Sequence, residues 1–366
     1  MAPSGARLAL ARCADRLNRM APILPSGPPA PLGSEASPLP DTAWLNDLSP
    51  DTYQRHGLHS DERIWPEKNC YMDVWIALVH TLGLQPLAML GVTASIDFLG
   101  DQWTFVKPSH DGLRRLYGIE VQELTLWRPL AAHVLDHLAA GRLISVEADA
   151  FWLPDTAATD YRRNHSKTTV MIVGCDAQAE QLSYFHNAGL YRLDGEDYRQ
   201  TMANGGLAMP LLAEWVDTRR RLHQPEALLQ RLARQRLIEQ LAWWPDGSVA
   251  DNPVRRFQQH CTNEMPALVA QDLQAYHAWA FANTRQFGAA MEMLALHLRW
   301  LGGHEAAAAG FEQASMASKT LILKAARSVA ASRPLAADAL FDAMTDGWAQ
   351  GHAQLRAGLT FSATRP

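Results

Sequence analysis

The chain has 366 residues, 48% of them hydrophobic and 19% charged, with a formal net charge of −5. That length suits two modest cores, and no Lys/Arg block offers a phosphate-tracking surface, so nucleic acid is not an expected partner. Four cysteines without a C-x-x-C pair make neither a disulfide framework nor a zinc ribbon, and no apolar run approaches a membrane span, so the expectation is a soluble cytoplasmic protein.

Residues 1–20 predict a short arginine-bearing helix, in which Arg7 and Arg12 interrupt any signal-peptide core. Residues 22–40 hold seven prolines with Gly and Ser, which support neither a helix nor a sheet ladder. Residues 1–40 therefore read as a disordered extension, with Met1 and Met20 both open as the start, and the folded part begins at residue 41.

From 41 to 205 the pattern is mixed. Residues 70–84 predict a helix, with Val74, Trp75, Leu78, Val79 and Leu82 on one face, Asn69 as N-cap and Gly83 as stop. A second helix is expected over 129–140, between Pro129 and Gly141. Three strands follow, Leu143–Ala150, Thr168–Gly174 and Gln181–Phe185, each short, rich in β-branched or aromatic residues and bounded by polar turns. Helices followed by antiparallel-type strands give an α+β domain. From 206 to 366 the chain reads as an all-α domain, nearly continuous helix over 209–357, with breaks at Pro225, Pro245–Gly247, Pro253, Pro266, Gly302–Gly303 and Pro334.

Cys70 opens the first of these helices. Backbone N–H groups without intrahelical partners and the positive end of the dipole favour a thiolate there, which is the form that reacts. Read alone, Cys70 fits better as a small buried hydrophobe, as most free cysteines are. Cys13 lies in the tail, Cys175 ends a strand and Cys261 sits in a polar helical stretch. A base and a group to orient it are also needed. His165 stands just before the strand TTVMIVG, and Asn187 follows QLSYFH, so a hairpin is expected to bring them together. The order Cys70, His165, Asn187 on helix start, strand start and strand end singles out these three. His165, Cys175, Asp176 and His186 cluster in sequence, but their spacing matches no zinc pattern, and no metal is expected.

This order and setting resemble papain-like cysteine enzymes, including the bacteriocin-processing peptidases and the butirosin-biosynthesis acyltransferase group. More closely, NCYMDVWIALVHTLG (69–83), DFLGDQWTFVKP (97–108), LYGIEVQEL (116–124), LPDTAATDYRRNHSKTTV (153–170) and YFHNAGLYRL (184–193) are similar to the bacterial domain-of-unknown-function 1839 family, a likeness running from about residue 45 to 350. The resemblance implies a papain-like domain, a nucleophile helix plus antiparallel sheet, followed by an all-α domain. It also implies transfer of an acyl or aminoacyl group from the phosphopantetheine thioester of a carrier protein to a small-molecule or peptide amine, with no cofactor beyond that arm. In that scheme Cys70 attacks the thioester, His165 moves the proton and Asn187 holds the imidazole. A cysteine hydrolase with the same residues, or a carrier-binding scaffold without activity, are the alternatives.

Many papain-like peptidases place an oxyanion-hole glutamine six residues before the nucleophile, where this chain has Ile64. The backbone N–H of Cys70 with the Asn69 side chain, or Gln102 if the GDQW loop folds over the site, are the substitutes expected to complete the hole. Asp101 and Trp103 are expected either to line the pocket or to form a turn anchored by a buried Trp. Arg162 and Arg163 are candidates for contact with an acidic carrier protein, against the plainer reading of a solvated charged loop.

Overall fold

The computed structural model describes residues 42–45, 47–203, 212–242 and 252–359. The extension expected over 1–40, including Cys13, and the break expected at Pro245–Gly247 lie outside these residues.

Helix α1, Cys70–Thr81, starts where Asn69 turns extended at φ −142° and its side-chain oxygen accepts from the Met72 N–H at 2.8 Å. It stops where expected: Leu82 caps it, and Gly83 at φ 68° turns the chain in a conformation that costs a glycine nothing. The predicted single apolar face understates its burial. Every residue from Tyr71 to Val79 is buried, so α1 is an interior helix packed on all sides.

A 3-10 stretch, Pro86–Ser95, leads to a small hairpin of β1 (Phe98–Leu99) and β2 (Gln102–Trp103), then to α2 (His110–Tyr117) capped by Ser109. The elements that follow are β3 (Glu120–Glu123), α3 (Leu130–Ala139), β4 (Leu143–Asp149), β5 (Lys167–Asp176), β6 (Gln181–His186), β7 (Gly189–Asp194), α4 (Gly195–Met202) and β8 (Ala213–Asp217). One six-stranded sheet takes them in the order β3-β8-β4-β5-β6-β7, with every neighbouring pair antiparallel.

The three expected strands are β4, β5 and β6. Strands β3, β7 and β8 were not foreseen, and β8 falls inside the stretch expected to be helical from 209. It is inserted between β3 and β4, and its buried Glu214 is held by Tyr71 and His110. The apolar and charged residues of AEWVD fit a helix as well as a strand, and only the two flanking strands decide between them.

Beyond Pro225 the chain is helical: α5 (Glu226–Ala242), α6 (Pro253–Ala270), α7 (Leu273–Ala280), a π-helical segment Phe281–Arg285, α8 (Gln286–Leu301), α9 (Glu305–Ala330) and α10 (Asp338–Gly358). Pro266 does not break α6 as expected; it lies inside that helix, in its last turns, where the lost N–H costs one hydrogen bond. Gly302 and Gly303, at φ 74° and 76°, do end α8.

Burial follows the pleat. Along β5, Met171 and Val173 join the larger core with α1, whereas Val170 and Ile172 join a smaller core with Val134 of α3 and Tyr198 of α4. A strand covered on both faces reads as an unbroken apolar run, which is why TVMIV shows no alternation. The larger core extends from Leu58 to Leu359, so the C-terminal helices and the α1 face of the sheet bury one continuous interior. Among the described residues no helix is long and apolar enough to cross a membrane.

Candidate functional site

Cys70 is the first residue of α1 and is half-buried, and its thiol donates to the Thr169 hydroxyl of β5 at 3.6 Å. In the β4–β5 ladder Glu147 pairs with Thr169 and Asp149 with Lys167. With side chains alternating along each strand, residues 147, 149, 167 and 169 lie on the sheet face that α1 covers. The Lys167 ammonium pairs there with Glu147.

His165 precedes β5 on the same rim. Its Nδ1 lies 2.6 Å from Asp149 Oδ2, and Asp149 Oδ1 accepts from the Phe151 N–H at 3.1 Å. The imidazole stacks on the Phe151 ring, 4.3 Å between centroids and 9° from parallel. Its side chain is 53% exposed and that of Asp149 only 2%, so a buried carboxylate and an aromatic face fix a ring whose other nitrogen faces outward. This is how a general base is oriented.

The expected meeting of His165 with Asn187 does not form. Asn187 occupies the two-residue turn between β6 and β7 at φ 45°, a conformation asparagine tolerates better than most residues. Counting on from the Met171–Phe185 pair, Asn187 stands level with Thr169, not with His165. Four residues of extended chain separate those two levels, about 13 Å. The partner of His165 is Asp149, which sequence reasoning missed. The alternation of LISVEAD, with Leu143 and Asp149 on one face, was the available signal.

Asn69 is spent on structure. Its oxygen caps α1, its amide donates to the Val106 carbonyl at 2.9 Å, and it is buried. One amide N–H is thereby used, and the side chain is held inside the fold and not free to swing towards an oxyanion. Trp103 is buried and stacked on Phe287 at 4.6 Å, which fits the anchored-turn reading of GDQW, while Asp101 and Gln102 are exposed. Arg162 pairs with Asp197 at 2.6 Å and Glu196 at 3.2 Å and lies over the Trp152 ring. Arg163 is exposed, its guanidinium donating to the Ala158 carbonyl at 3.5 Å.

Buried polar groups hold both ends of this rim. His186 is 2.5 Å from Asp155 through Nδ1 and 2.7 Å from the Thr168 hydroxyl through Nε2, and Tyr184 donates to the other Asp155 oxygen. These bonds fasten the 150–166 loop, and so His165, to the sheet. On the α1 side, Tyr71 donates to Glu214 at 2.7 Å; burial, then that carboxylate, raises the phenol pKa well above its usual range. Ahead of Cys70, the buried Lys68 Nζ donates to the Leu58 carbonyl at 2.7 Å and lies 3.5 Å from Glu292 of α8. Glu292 also accepts from the Ile64 and Trp65 N–H groups. Burial lowers the Lys68 pKa, with Glu292 and Asp73 opposing the shift. Ile64 thus serves through its backbone, tying the approach to Cys70 onto a C-terminal helix. Among the described residues no group of three His, Cys, Asp or Glu is placed to hold a metal ion.

Fold and site together define an α+β protein with an antiparallel sheet, a thiol at a capped helix start, a carboxylate-held histidine on the same sheet face, and a helical C-terminal region. The family model described as the DUF1839 N-terminal domain matches residues 54–220, and that described as the DUF1839 C-terminal domain matches residues 226–357. The chain belongs to the DUF1839 family. No curated protein matches it in sequence.

Proposed function

We propose that the protein is a cysteine-dependent acyltransferase of papain-like type, in which Cys70 takes an acyl or aminoacyl group from a carrier-protein phosphopantetheine thioester. The observation that carries this reading is a half-buried thiol at an Asn69-capped helix start, on one sheet face with a histidine locked by a buried aspartate. Thioester exchange onto a thiolate leaves the energy of the acyl bond nearly unchanged, so the first step asks little beyond ionisation and access. The carrier thiol leaves as the Cys70 acyl thioester forms. An incoming amine then attacks the acyl carbon, gives up a proton and releases the Cys70 thiolate.

An attacking nitrogen needs about 3 Å to the acyl carbon and about 3 Å to its base. A base serving the acceptor therefore stands some 6 Å beyond the acyl carbon, whereas the levels of His165 and Thr169 lie about 13 Å apart, so this role requires His165 to move towards Cys70 when carrier and acceptor bind. Asp149 takes the orienting part first expected of Asn187. Arg163, free of carboxylates among the described residues, is the cation best placed to meet an acidic carrier surface.

A second reading, a carrier-binding scaffold without turnover, is favoured by one fact: the hydrogen-bond partner of Cys70 is a hydroxyl, not an imidazole. Iodoacetamide labelling near pH 6 with peptide mapping separates the two. Cys261 is buried with its pKa pushed up to about 12, and burial also raises that of Cys175, so both act as slow internal references. The transferase reading predicts fast, selective modification of Cys70. Labelling no faster than that of a free thiol would leave the scaffold.

A further inference from the structure

A cavity of about 430 Å³ is bounded by the segment before α1, the β6–β7 turn at Ala188 and helices α7 and α9. That volume is in the range of small-molecule sites, roughly 300–1,000 Å³. Its walls are of two kinds. Trp65, Tyr276, Ile322 and Ala326 supply apolar surface, and Arg285 and Lys319 supply charge.

The charges are unevenly matched. Arg55, also in the wall, is neutralised by Asp61 at 2.7 Å. Arg285 reaches the Glu67 carboxylate only at 3.5 Å, and its buried Nε has no hydrogen-bond partner. Lys319 lies 4.5 Å over the Trp65 ring, and among the described residues no carboxylate pairs with it. Burial lowers its pKa, the nearby Arg285 lowers it further, and Glu292 opposes the shift. Arg285 and Lys319 thus face one half-buried space, Arg285 paired with Glu67 and Lys319 feeling Glu292 without a direct carboxylate contact, so an entering anion would meet two positive groups on one wall. His59, fully buried behind the same wall, has Nε2 held by Asp73.

We propose that this cavity binds a small organic oxyanion, with its carboxylate or phosphate between Arg285 and Lys319 and its apolar body over Trp65, Tyr276 and Ile322. Cys70 is not among the residues lining the cavity, and Cys70→Ala leaves its affinity unchanged.

Calorimetric titration of the full chain with phenylacetate, phenyl phosphate and the neutral phenylacetamide tests it. At least one anion binds saturably and at least tenfold more tightly than phenylacetamide. Phenylacetate binding more tightly assigns a carboxylate ligand, and phenyl phosphate binding more tightly assigns a phosphate ester. Lys319→Met keeps the stem over Trp65 and removes the charge, and it weakens the anion at least tenfold; Arg285→Gln does the same, while Lys324→Met on the exposed side of α9 changes nothing. Circular dichroism of each variant confirms its fold. The proposal is overturned if neither anion binds, if phenylacetamide binds equally well, or if folded Lys319→Met and Arg285→Gln both keep wild-type affinity.

Discussion

The polar cluster ahead of Cys70 makes a sharp prediction about what joins the helical C-terminal region to the sheet. Glu292 on α8 is 4% exposed and serves three donors, the Ile64 N–H at 3.0 Å, the Trp65 N–H at 3.1 Å and the Lys68 ammonium at 3.5 Å. Glu292→Ala leaves an ammonium and two amides inside the protein without that acceptor. Breaking a buried ion pair from one side costs about 3–5 kcal/mol, because the remaining charge stays unsolvated. Lys68 keeps its bonds to the Leu58 and Trp65 carbonyls, so the expected loss is about 4 kcal/mol, not the sum of every bond removed. Urea unfolding followed by tryptophan fluorescence reads it. The test includes Lys68→Met and the double variant: removing the lysine first makes the loss of Glu292 cheaper, with a coupling of about 1–3 kcal/mol. A loss below about 1 kcal/mol for Glu292→Ala, or a double variant equal to the sum of the singles, would refute the reasoning.

Three further outcomes are expected. At the crossing of α9 and α10 a Cβ on Gly347 would lie 2.6 Å from the Gly310 carbonyl oxygen, so Gly347→Ala forces two backbones apart and costs about 1–3 kcal/mol, read as a lowered thermal midpoint; an unchanged midpoint would show the helices free to part. His297 is buried with its pKa lowered to about 4, mainly by burial, so on acidification the unfolded chain takes up that proton first. Stability from this group is therefore complete above about pH 6.5 and falls as pH drops towards 4; roughly 2 kcal/mol goes between pH 7 and pH 5, and urea midpoints in His297→Leu should show a correspondingly shallower fall. Finally, Asp149→Asn should lower acyl-transfer turnover by about 10²–10⁴ by releasing the imidazole, while Asn187→Ala stays within about threefold of wild type; equal effects in steady-state assays would return the orienting role to Asn187.

Much of this was legible in the sequence because it is local. Asn69 before an apolar run is a cap whatever follows, and Gly83, Gly141 and Gly302 end helices because their backbones need positive φ. The runs that became β4, β5 and β6 carry enough β-branched and aromatic side chains to declare themselves. What could not be read was pairing. Residues 213–217 become a strand only between β3 and β4, and the position of Asn187 depends on strand register, which shifts between Ile172 and Gly174. The same limit applied to the site. Cys70 and His165 were visible from their positions at the starts of elements, but the choice of Asp149 over Asn187 is made by which strand end lies beside residue 165.

The central claim is that Cys70 becomes acylated, and the direct measurement is to trap that state. The protein is incubated with an aminoacyl carrier-protein thioester and no amine, quenched in acid, and its intact mass and peptides are determined. The account predicts one acyl group, mapped to Cys70, absent in Cys70→Ala and discharged when an acceptor amine is added. No adduct on Cys70, or wild-type turnover by Cys70→Ala, would contradict it.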